Sequence, residues 1–261
     1  MAITKKGTTI TSLHEWETQA GPKKKNQWAE GRSAMESARA WLKGEGKEIP
    51  PEILSALAGH RNFGPIQSWQ AEPEAKLWFD NFAGEPRNTD LVVYVKDSHG
   101  WFLIAIEAKA DETFGETISE TFSTALERYL KNNRSNGITR IKQLSKATLG
   151  LRKKGEPKVG EIRYQLLTAC AGALCEAERR GFSRAILLVH EFVTSKTNDD
   201  KHLQNAQDLD KFVERISEGL VTSVQTGRIY GPFVVPGVPL LATKVELFIG
   251  KVSRNLRSKS A

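Results

Sequence analysis

The chain has 261 residues, of which 39% are hydrophobic and 26% are charged, a composition typical of a globular protein with a real core. Its longest apolar runs, AILLV and WFLIAI, are far too short to cross a bilayer, and the amino terminus lacks the apolar stretch of a secretory signal. We therefore expect a cytoplasmic protein with no membrane partner, whose net charge of +7 permits nucleic-acid binding through phosphate contacts.

The first half of the chain predicts helices followed by a β-hairpin. A helix is expected over 33–42, with Ser33 as its N-cap and Glu36 at the capping-box position. A short helix follows near EILSAL. Residues 91–95 and 101–108 then predict two strands joined by a tight polar turn.

The second half predicts further helices and one buried strand. Residues 116–148 are helix-like, with an interruption at KNNRSNG, and a long helix then ends at Gly181. The two cysteines, Cys170 and Cys175, lie on that helix at a spacing that suits neither a disulfide nor a zinc site, so we expect free thiols. The run RAILLVHEF is continuously apolar, as in a buried strand that shares a sheet with the hairpin. The order of elements indicates an α/β fold.

The hairpin register brings three charged side chains together. If the turn has two or four residues, the numbers of opposing residues sum to 197, and Asp90 lies directly across from Glu107. Opposing residues of an antiparallel pair have Cβ atoms roughly 4.5 to 5.5 Å apart. Strand alternation places Lys109 on the same face as Glu107. Asp90, Glu107 and Lys109 should therefore converge.

Two carboxylates that face each other on a sheet are destabilising unless a cation offsets their charge. Mg²⁺ prefers carboxylate oxygens, can lower the pKa of a bound water and can neutralise charge on a phosphate. A lysine beside it could orient or deprotonate that water. The alternative is an amphipathic hairpin with a solvated acid and lysine, because acid-x-Lys also occurs elsewhere in the chain. What distinguishes Glu107-Ala108-Lys109 is its position at the end of an apolar strand, with an acid in register opposite.

Asp90 followed by Glu107-Ala108-Lys109 resembles the signature of the PD-(D/E)xK, or restriction-endonuclease-like, nuclease superfamily. The resemblance covers roughly residues 70–192 and differs in having Thr89 where the superfamily signature has proline. It implies a restriction-endonuclease-like core, a mixed β-sheet flanked by helices, with additional N-terminal and inserted helices.

The resemblance divides the chain into two regions. Residues 1–65 would form an N-terminal helical extension. Residues 66–261 would form the nuclease-like domain, with a helical insertion at about 111–160. The long connection between the hairpin and the next core helix is the reason for expecting the insertion.

The resemblance also implies roles for individual residues. Asp90 and Glu107 would bind Mg²⁺ or Mn²⁺, Lys109 would act on the attacking water, and Gln165 would support the site from the following helix. Some members take a third carboxylate from a helix before the first core strand, where Glu72 and Glu74 are candidates. We assign Glu72 as the metal ligand, against the alternative of an exposed acid near a helix start.

The sequence therefore predicts a metal-dependent endonuclease with DNA as its nucleic-acid partner. Many endonucleases of this type act as dimers, so a homodimer is a further expectation. The alternative is a catalytically inactive nuclease-fold module that binds nucleic acid or a protein partner without cutting.

Overall fold

The computed structural model describes residues 1–44, 46–82 and 86–257. Their strands are β1 (Ala2–Lys5), β2 (Thr8–Thr9), β3 (Ile66–Leu77), β4 (Arg87–Asp97), β5 (Gly100–Lys109), β6 (Arg184–Val193), β7 (Arg228–Phe233) and β8 (Glu246–Asn255). Their α-helices are α1 (Leu13–Ala20), α2 (Ser33–Leu42), α3 (Pro51–Ala58), α4 (Ile118–Lys131), α5 (Gly137–Thr148), α6 (Tyr164–Arg179) and α7 (Asp199–Ile216). Short 3₁₀ helices span Lys25–Gln27 and Val159–Glu161. The last four residues of the predicted nuclease-like domain, 258–261, lie outside the described ranges.

The strands form one mixed sheet in the order β2-β1-β3-β4-β5-β6-β8-β7. β3, β4 and β5 form an antiparallel meander, and β5, β6 and β8 run parallel to one another. The sheet carries helices on its faces, so the predicted α/β class is confirmed. The hairpin and the strand RAILLVHEF share the sheet as predicted.

The continuous apolar run of β6 follows from its central position. β6 has a parallel neighbour on each side, and nine of its ten residues are buried. A strand covered on both faces needs no polar alternation. The C-terminal ends of the parallel strands β5 and β6 therefore lie side by side between the two layers of helices.

Two hydrophobic clusters cover the two faces of the sheet. On one face, helices α4 to α7 pack against β4, β5, β6 and β8. On the other, α1, α2 and α3 pack against the opposite side of the same strands, with Trp41 and Ile53 fully buried. The first 65 residues, predicted as a helical extension, thus share a core with the central strands, and they also add β1 beside β3.

Two helices and the glycine that ends α6 lie where the sequence places them. α4 and α5 occupy the helix-like region 116–148 and are separated at the interruption KNNRSNG. Gly181 adopts φ +71°, and the amide of Phe182 donates to the carbonyl of Ala177 at 2.8 Å, the bond that closes a Schellman motif. Cys170 is buried and Cys175 is half-buried, and both are free thiols as predicted.

The predicted start of α2 is wrong by one residue. Ser33 is already helical, and Arg32, with extended backbone angles, is the N-cap and makes no side-chain cap. The Glu36 carboxylate instead accepts a hydrogen bond from the amide of Gly31 at 2.7 Å and ion-pairs with Arg39. The buried Glu36 side chain thus binds the backbone before the helix, but it does not form a capping box.

The expected helix around Glu72 and Glu74 is also wrong, because both residues lie in β3. Glu74 adopts φ +49°, a left-handed conformation that interrupts the regular strand immediately after Pro73. This irregularity decides which carboxylate enters the site described below.

No helix within the described ranges has the length and apolar content needed to span a bilayer.

Candidate active site

The hairpin between β4 and β5 has the register that the sequence predicts. Its ladder runs from Asp97 opposite Gly100 to Leu91 opposite Ile106, and each pair of residue numbers sums to 197. The turn therefore has two residues. Gly100 adopts φ +114°, a conformation that favours glycine at this turn.

Asp90 immediately precedes Leu91, the β4 residue of the last pair, and lies beside the end of β5. Its Oδ2 accepts a hydrogen bond from the backbone amide of Ala108 at 2.7 Å. The bond fixes the carboxylate at the strand end that carries Glu107 and Lys109. The predicted meeting of these residues at one end of the hairpin is therefore observed.

The Glu107 carboxylate is buried and holds three partners. Lys109 Nζ donates to Oε1 at 2.8 Å, and the Gln165 side-chain amide donates to the same oxygen. The guanidinium of Arg87 donates to Oε2. Gln165 lies in the first turn of α6, so the sheet and the covering helix both contribute to this group.

The charge state of Glu107 and Lys109 follows from their contact. Burial alone would raise the pKa of Glu107, but the charges of Lys109 and Arg87 outweigh it and lower that pKa. Burial alone would lower the pKa of Lys109, but the charges of Glu107 and Asp90 outweigh it and raise that pKa. Lys109 is therefore an ammonium ion at neutral pH.

The environment of Asp90 disfavours its charged form. Burial, followed by the charges of Glu107 and Glu74, raises its pKa to about 8, although Lys109 and the Ala108 amide act in the opposite direction. A carboxyl group that burial and neighbouring acids keep protonated near neutral pH would become a stable anion beside an added cation. Asp90 therefore has the electrostatic character of an incomplete cation site.

Glu74 supplies the third carboxylate. In the pairing of β3 with β4, Pro73 lies opposite Leu91, and Ala75 lies opposite Thr89. Glu74 lies between these pairs, next to Asp90, and its side chain accepts a hydrogen bond from Asn88. Burial raises the pKa of Glu74, and the charge of Glu107 adds to this effect.

Glu72 occupies a different position from the one expected of a third ligand. It lies two residues from Glu74, opposite Val92, and its carboxylate ion-pairs with Lys5 at 3.2 Å. Lys5 also donates to the backbone carbonyls of Pro73 and Glu74, each at 2.7 Å. The structure therefore favours Glu74 over the predicted Glu72 as the third acid beside Asp90.

These side chains line a cleft of about 1490 Å³. The volume exceeds the roughly 300 to 1,000 Å³ of small-molecule pockets. Around the central group, the walls of the cleft carry a moderate excess of positive charge. Eight basic residues line them, Lys5, Lys6, Lys23, Lys24, Arg32, Lys76, Arg179 and Arg180, together with five acids, Glu72, Asp111, Glu112, Glu116 and Glu176. An acidic centre with cationic walls suits a long anionic ligand that is bound through a cation.

The acidic group offers suitable ligands for Mg²⁺ or Mn²⁺ but does not form a ready-made cage. Within the described ranges, no three His, Cys, Asp or Glu side chains are arranged to hold a metal ion. The contacts of Glu107 explain this, because Arg87, Lys109 and Gln165 already surround its oxygens. The donor set of Asp90, Glu107 and Glu74 consists of hard oxygens, and a divalent cation would supply the positive charge that the Asp90 anion lacks.

Sequence reasoning missed Arg87. The predicted strand began at residue 91, whereas β4 begins at Arg87 itself. The Arg87 guanidinium also donates to the Thr168 hydroxyl on α6 at 3.3 Å. A basic residue three positions before Asp90 was the available signal, but it becomes informative only when the strand is known to extend that far.

His190 belongs to a separate cluster of charged side chains. It is buried on β6, and its Nε2 lies 2.8 Å from a Glu52 oxygen. Arg254 binds the same carboxylate through two nitrogens. These partners lower the pKa of Glu52 to about 2, against the effect of burial, so the cluster is charge-compensated.

The fold and the site together define an α/β protein with three carboxylates and a buried lysine at one end of a mixed sheet, facing a cationic cleft. The family model described as Domain of unknown function (DUF6946) matches residues 9–255. The chain belongs to this family. The comparisons with curated proteins and with solved structures gave no match.

Proposed function

We propose that the chain is a metal-dependent nuclease that hydrolyses phosphodiester bonds, with DNA as its substrate and a restriction-endonuclease-like core. The order of an antiparallel meander, β3 to β5, then α6, then β6 parallel to β5, is the order that this core implies. The cationic walls of the cleft support an anionic polymer as the ligand.

One observation carries the proposal: buried Lys109 is bonded to Glu107 beside an Asp90 whose pKa is raised to about 8. Perturbed acids that share a cleft with a buried cation are typical of functional sites. A carboxylate with a purely structural role would instead have its charge balanced by its partners, as Glu52 has.

The carboxylates of Asp90, Glu107 and Glu74 would hold Mg²⁺ or Mn²⁺. When bound, the ion would neutralise phosphate charge and lower the pKa of a water. Because the pKa of Lys109 is raised, its ammonium group orients that water or stabilises negative charge on the phosphate, and it does not act as the base. Gln165 keeps Glu107 in place from α6.

Arg87 has a second part in this proposal. Its guanidinium binds one of the two Glu107 oxygens, so a metal ion held by that oxygen would require Arg87 to move away or share it. A released guanidinium can bind phosphate through two parallel hydrogen bonds. Arg87 would thus stabilise Glu107 in the empty site and contact substrate in the loaded one.

Cleavage of a labelled DNA duplex in the presence of Mg²⁺ or Mn²⁺ tests the proposal. We expect EDTA to abolish cleavage and Lys109→Ala to reduce its rate by about 10²- to 10³-fold, the usual effect of removing one charge-stabilising group. Lys211→Ala is the matched control, because Lys211 is an exposed lysine outside the lining of the cleft. Equal rates for Lys109→Ala and the native chain would remove Lys109 from the mechanism.

A second candidate function is binding without cutting. The observation that favours it is the saturated Glu107 carboxylate, which already holds Arg87 and Lys109. Titration of Mn²⁺ by calorimetry separates the two functions. A nuclease site should bind Mn²⁺ more tightly than Asp90→Ala does, whereas a retired site should bind it equally weakly in both proteins.

A further inference from the structure

An exposed tryptophan lies near the turn end of the hairpin, on the face of the sheet that carries α6. Strand alternation places Trp101 on the same face as Leu103, which belongs to the hydrophobic cluster beneath α4 to α7. Trp101 is 43% exposed, whereas Trp41 and Trp69 are 0% and 5% exposed. Packing of the core accounts for those two rings but not for Trp101.

Trp101 is the outer member of a layer of aromatic rings. Its indole stacks on Phe182, with ring centroids 5.6 Å apart and an interplanar angle of 10°. Phe182 and Tyr94 meet edge to face, with centroids 6.5 Å apart. The guanidinium of Arg180 lies over the Tyr94 ring, 3.8 Å from its centroid. Phe182 thus covers one side of the indole, and the exposed fraction of Trp101 leaves room for a further flat ring on the other side.

Basic side chains surround this layer. Lys96 lies directly across from Trp101 in the β4–β5 ladder and is exposed. Arg179 and Arg180, at the end of α6, are exposed as well. The buried Glu176 pairs with both arginines, so its single carboxylate offsets only one of their two charges. The layer therefore has a positively charged rim, which is complementary to an anionic ligand.

The layer continues the cleft of the candidate active site. Tyr94, Arg179 and Arg180 line that cleft, and Trp101 extends the layer beyond it. Trp101 and Glu107 lie on the same face of β5, six residues apart, which corresponds to about 20 Å. A ligand that reaches from Glu107 to Trp101 therefore has to be long, and the basic residues along the way favour an anionic polymer.

We propose that the cleft takes a DNA strand with unpaired bases, one of which stacks on the open side of Trp101. The bases of a duplex are stacked inside the helix, so the indole can stack only on a base that has left its pair. Aromatic side chains in a basic groove bind single strands because every base offers a flat ring. Lys96, Arg179 and Arg180 would contact the phosphates. This inference rests on the proposed function for its ligand, DNA, and adds the form of DNA that is bound.

Binding of a labelled oligothymidylate of about 15 nucleotides in EDTA tests the inference without cleavage. Fluorescence anisotropy should show that the native chain binds it more tightly than a duplex of the same length. Trp101→Ala should weaken binding of the single strand by about 5- to 150-fold, the effect of losing one stacked base. Trp101→Phe should retain most of the affinity, because a phenyl ring can still stack.

Two further variants control for folding and for general effects of an exposed ring. Tyr129→Ala should bind like the native chain, because Tyr129 is 42% exposed on α4 and lies outside the lining of the cleft. Trp101→Leu keeps an apolar side chain beside Phe182, so it should unfold at the same temperature as the native chain but bind as weakly as Trp101→Ala. Equal binding by Trp101→Leu and the native chain would overturn the inference, as would an equal loss in Tyr129→Ala.

Tryptophan fluorescence distinguishes direct stacking from an effect at a distance. Oligothymidylate should quench the emission of the native chain and should quench that of Trp101→Phe much less, although both proteins bind it. Equal quenching in the two proteins would place the base elsewhere and contradict the inference.

This inference and the proposed function can fail separately. A chain that cuts no DNA but loses single-strand affinity in Trp101→Ala would support the inference and contradict the proposed nuclease. A chain that cuts a duplex but binds oligothymidylate equally well with and without Trp101 would do the reverse. A native dimer that Trp101→Ala dissolves, in a chain that does not bind the oligonucleotide, would assign the rings to a second copy and overturn the inference.

Discussion

The two ends of the β4–β5 hairpin carry carboxylates with opposite electrostatic characters, a buried one in Asp97 and a half-buried one in Asp90. At the turn end, Asp97 is bound by two nitrogens of Arg184, at 2.7 and 3.0 Å, and also accepts from the amides of Gly64 and His99. Burial would raise the pKa of Asp97, but Arg184 and these amides lower it. At the other end, Asp90 has a pKa raised to about 8.

The difference separates a structural carboxylate from one that is ready for a ligand. Asp97 has a matched cation and a hydrogen-bond donor for each oxygen, so it needs nothing further. Asp90 shares its surroundings with Glu107 and Glu74, and its charge is only partly compensated by Lys109. Buried acids of the first kind hold a fold together, and those of the second kind are candidates for chemistry.

The largest expected effect is the loss of the pair at the turn end. Arg184→Met leaves Asp97 buried without its cation, and we expect the free energy of unfolding to fall by about 3–5 kcal/mol. Urea denaturation followed by circular dichroism measures this. Lys153→Met, which removes an exposed lysine from a surface ion pair with Glu218, should change it by less than about 1 kcal/mol. Similar losses in both variants would contradict the distinction between the two ends.

At the site end, removing the acid should stabilise the protein. Because the folded-state pKa of Asp90 is raised to about 8 from 3.8, the folded chain binds more protons than the unfolded chain between these values. The wild type therefore loses stability as pH rises from about 4 to 8. Asp90→Asn cannot titrate, so it should be more stable by about 1–3 kcal/mol at pH 8 in EDTA, a value reduced because Asp90 still faces the cleft.

Thermal unfolding at pH 4 and pH 8 checks this pH dependence. The two proteins should have similar stability at the lower pH and diverge at the higher one. If Asp90→Asn were less stable than the wild type at pH 8, Asp90 would be a structural acid of the same kind as Asp97.

Removing the internal cation should improve metal binding. Arg87→Met frees the Glu107 oxygen that Arg87 now occupies, and we expect the affinity for Mn²⁺ to rise by about tenfold, or 1.4 kcal/mol. Calorimetric titration gives the affinity, with Arg32→Met as the control from the same cleft. An unchanged affinity in a native chain that does bind Mn²⁺ would show that Arg87 does not compete with the metal.

The smallest expected effect separates the two acids of β3. Glu74→Gln should weaken Mn²⁺ binding by about threefold to tenfold, because Glu74 contributes to the negative potential at Asp90. Glu72→Gln should leave it unchanged, since its carboxylate is paired with Lys5. The reverse result would make Glu72, the metal ligand predicted from the sequence, the third acid of the site in place of Glu74.

The hairpin was predictable because everything that determines it is local. Two apolar runs and a turn ending in Gly100 allow few registers, and the even-length turn fixes the one that brings Asp90 to Glu107. The long helix and its glycine end were predictable for the same reason. The roles of Asp90, Glu107, Lys109 and Gln165 remain proposals that rest on this geometry.

The parts that escaped prediction depend on partners far away in the sequence. QAEPEAKLW contains a proline and alternating charges, so nothing local indicates a strand, and it becomes β3 through pairing with β4 and β1. The irregular backbone at Glu74 follows from that pairing and from Lys5, about 70 residues earlier. Arg87 joins the site only because β4 extends beyond its apolar segment.

The bonds from Lys5 to the carbonyls of Pro73 and Glu74 have a consequence for how the molecule is put together. Asp90 meets the end of β5 through contacts within the hairpin, a local part of the chain. The carbonyls on both sides of the Glu74 Cα instead accept hydrogen bonds from a residue of the opening strand. The third acid therefore depends on a long-range contact, and a change near the first residues can disturb the distant centre while the hairpin stays intact.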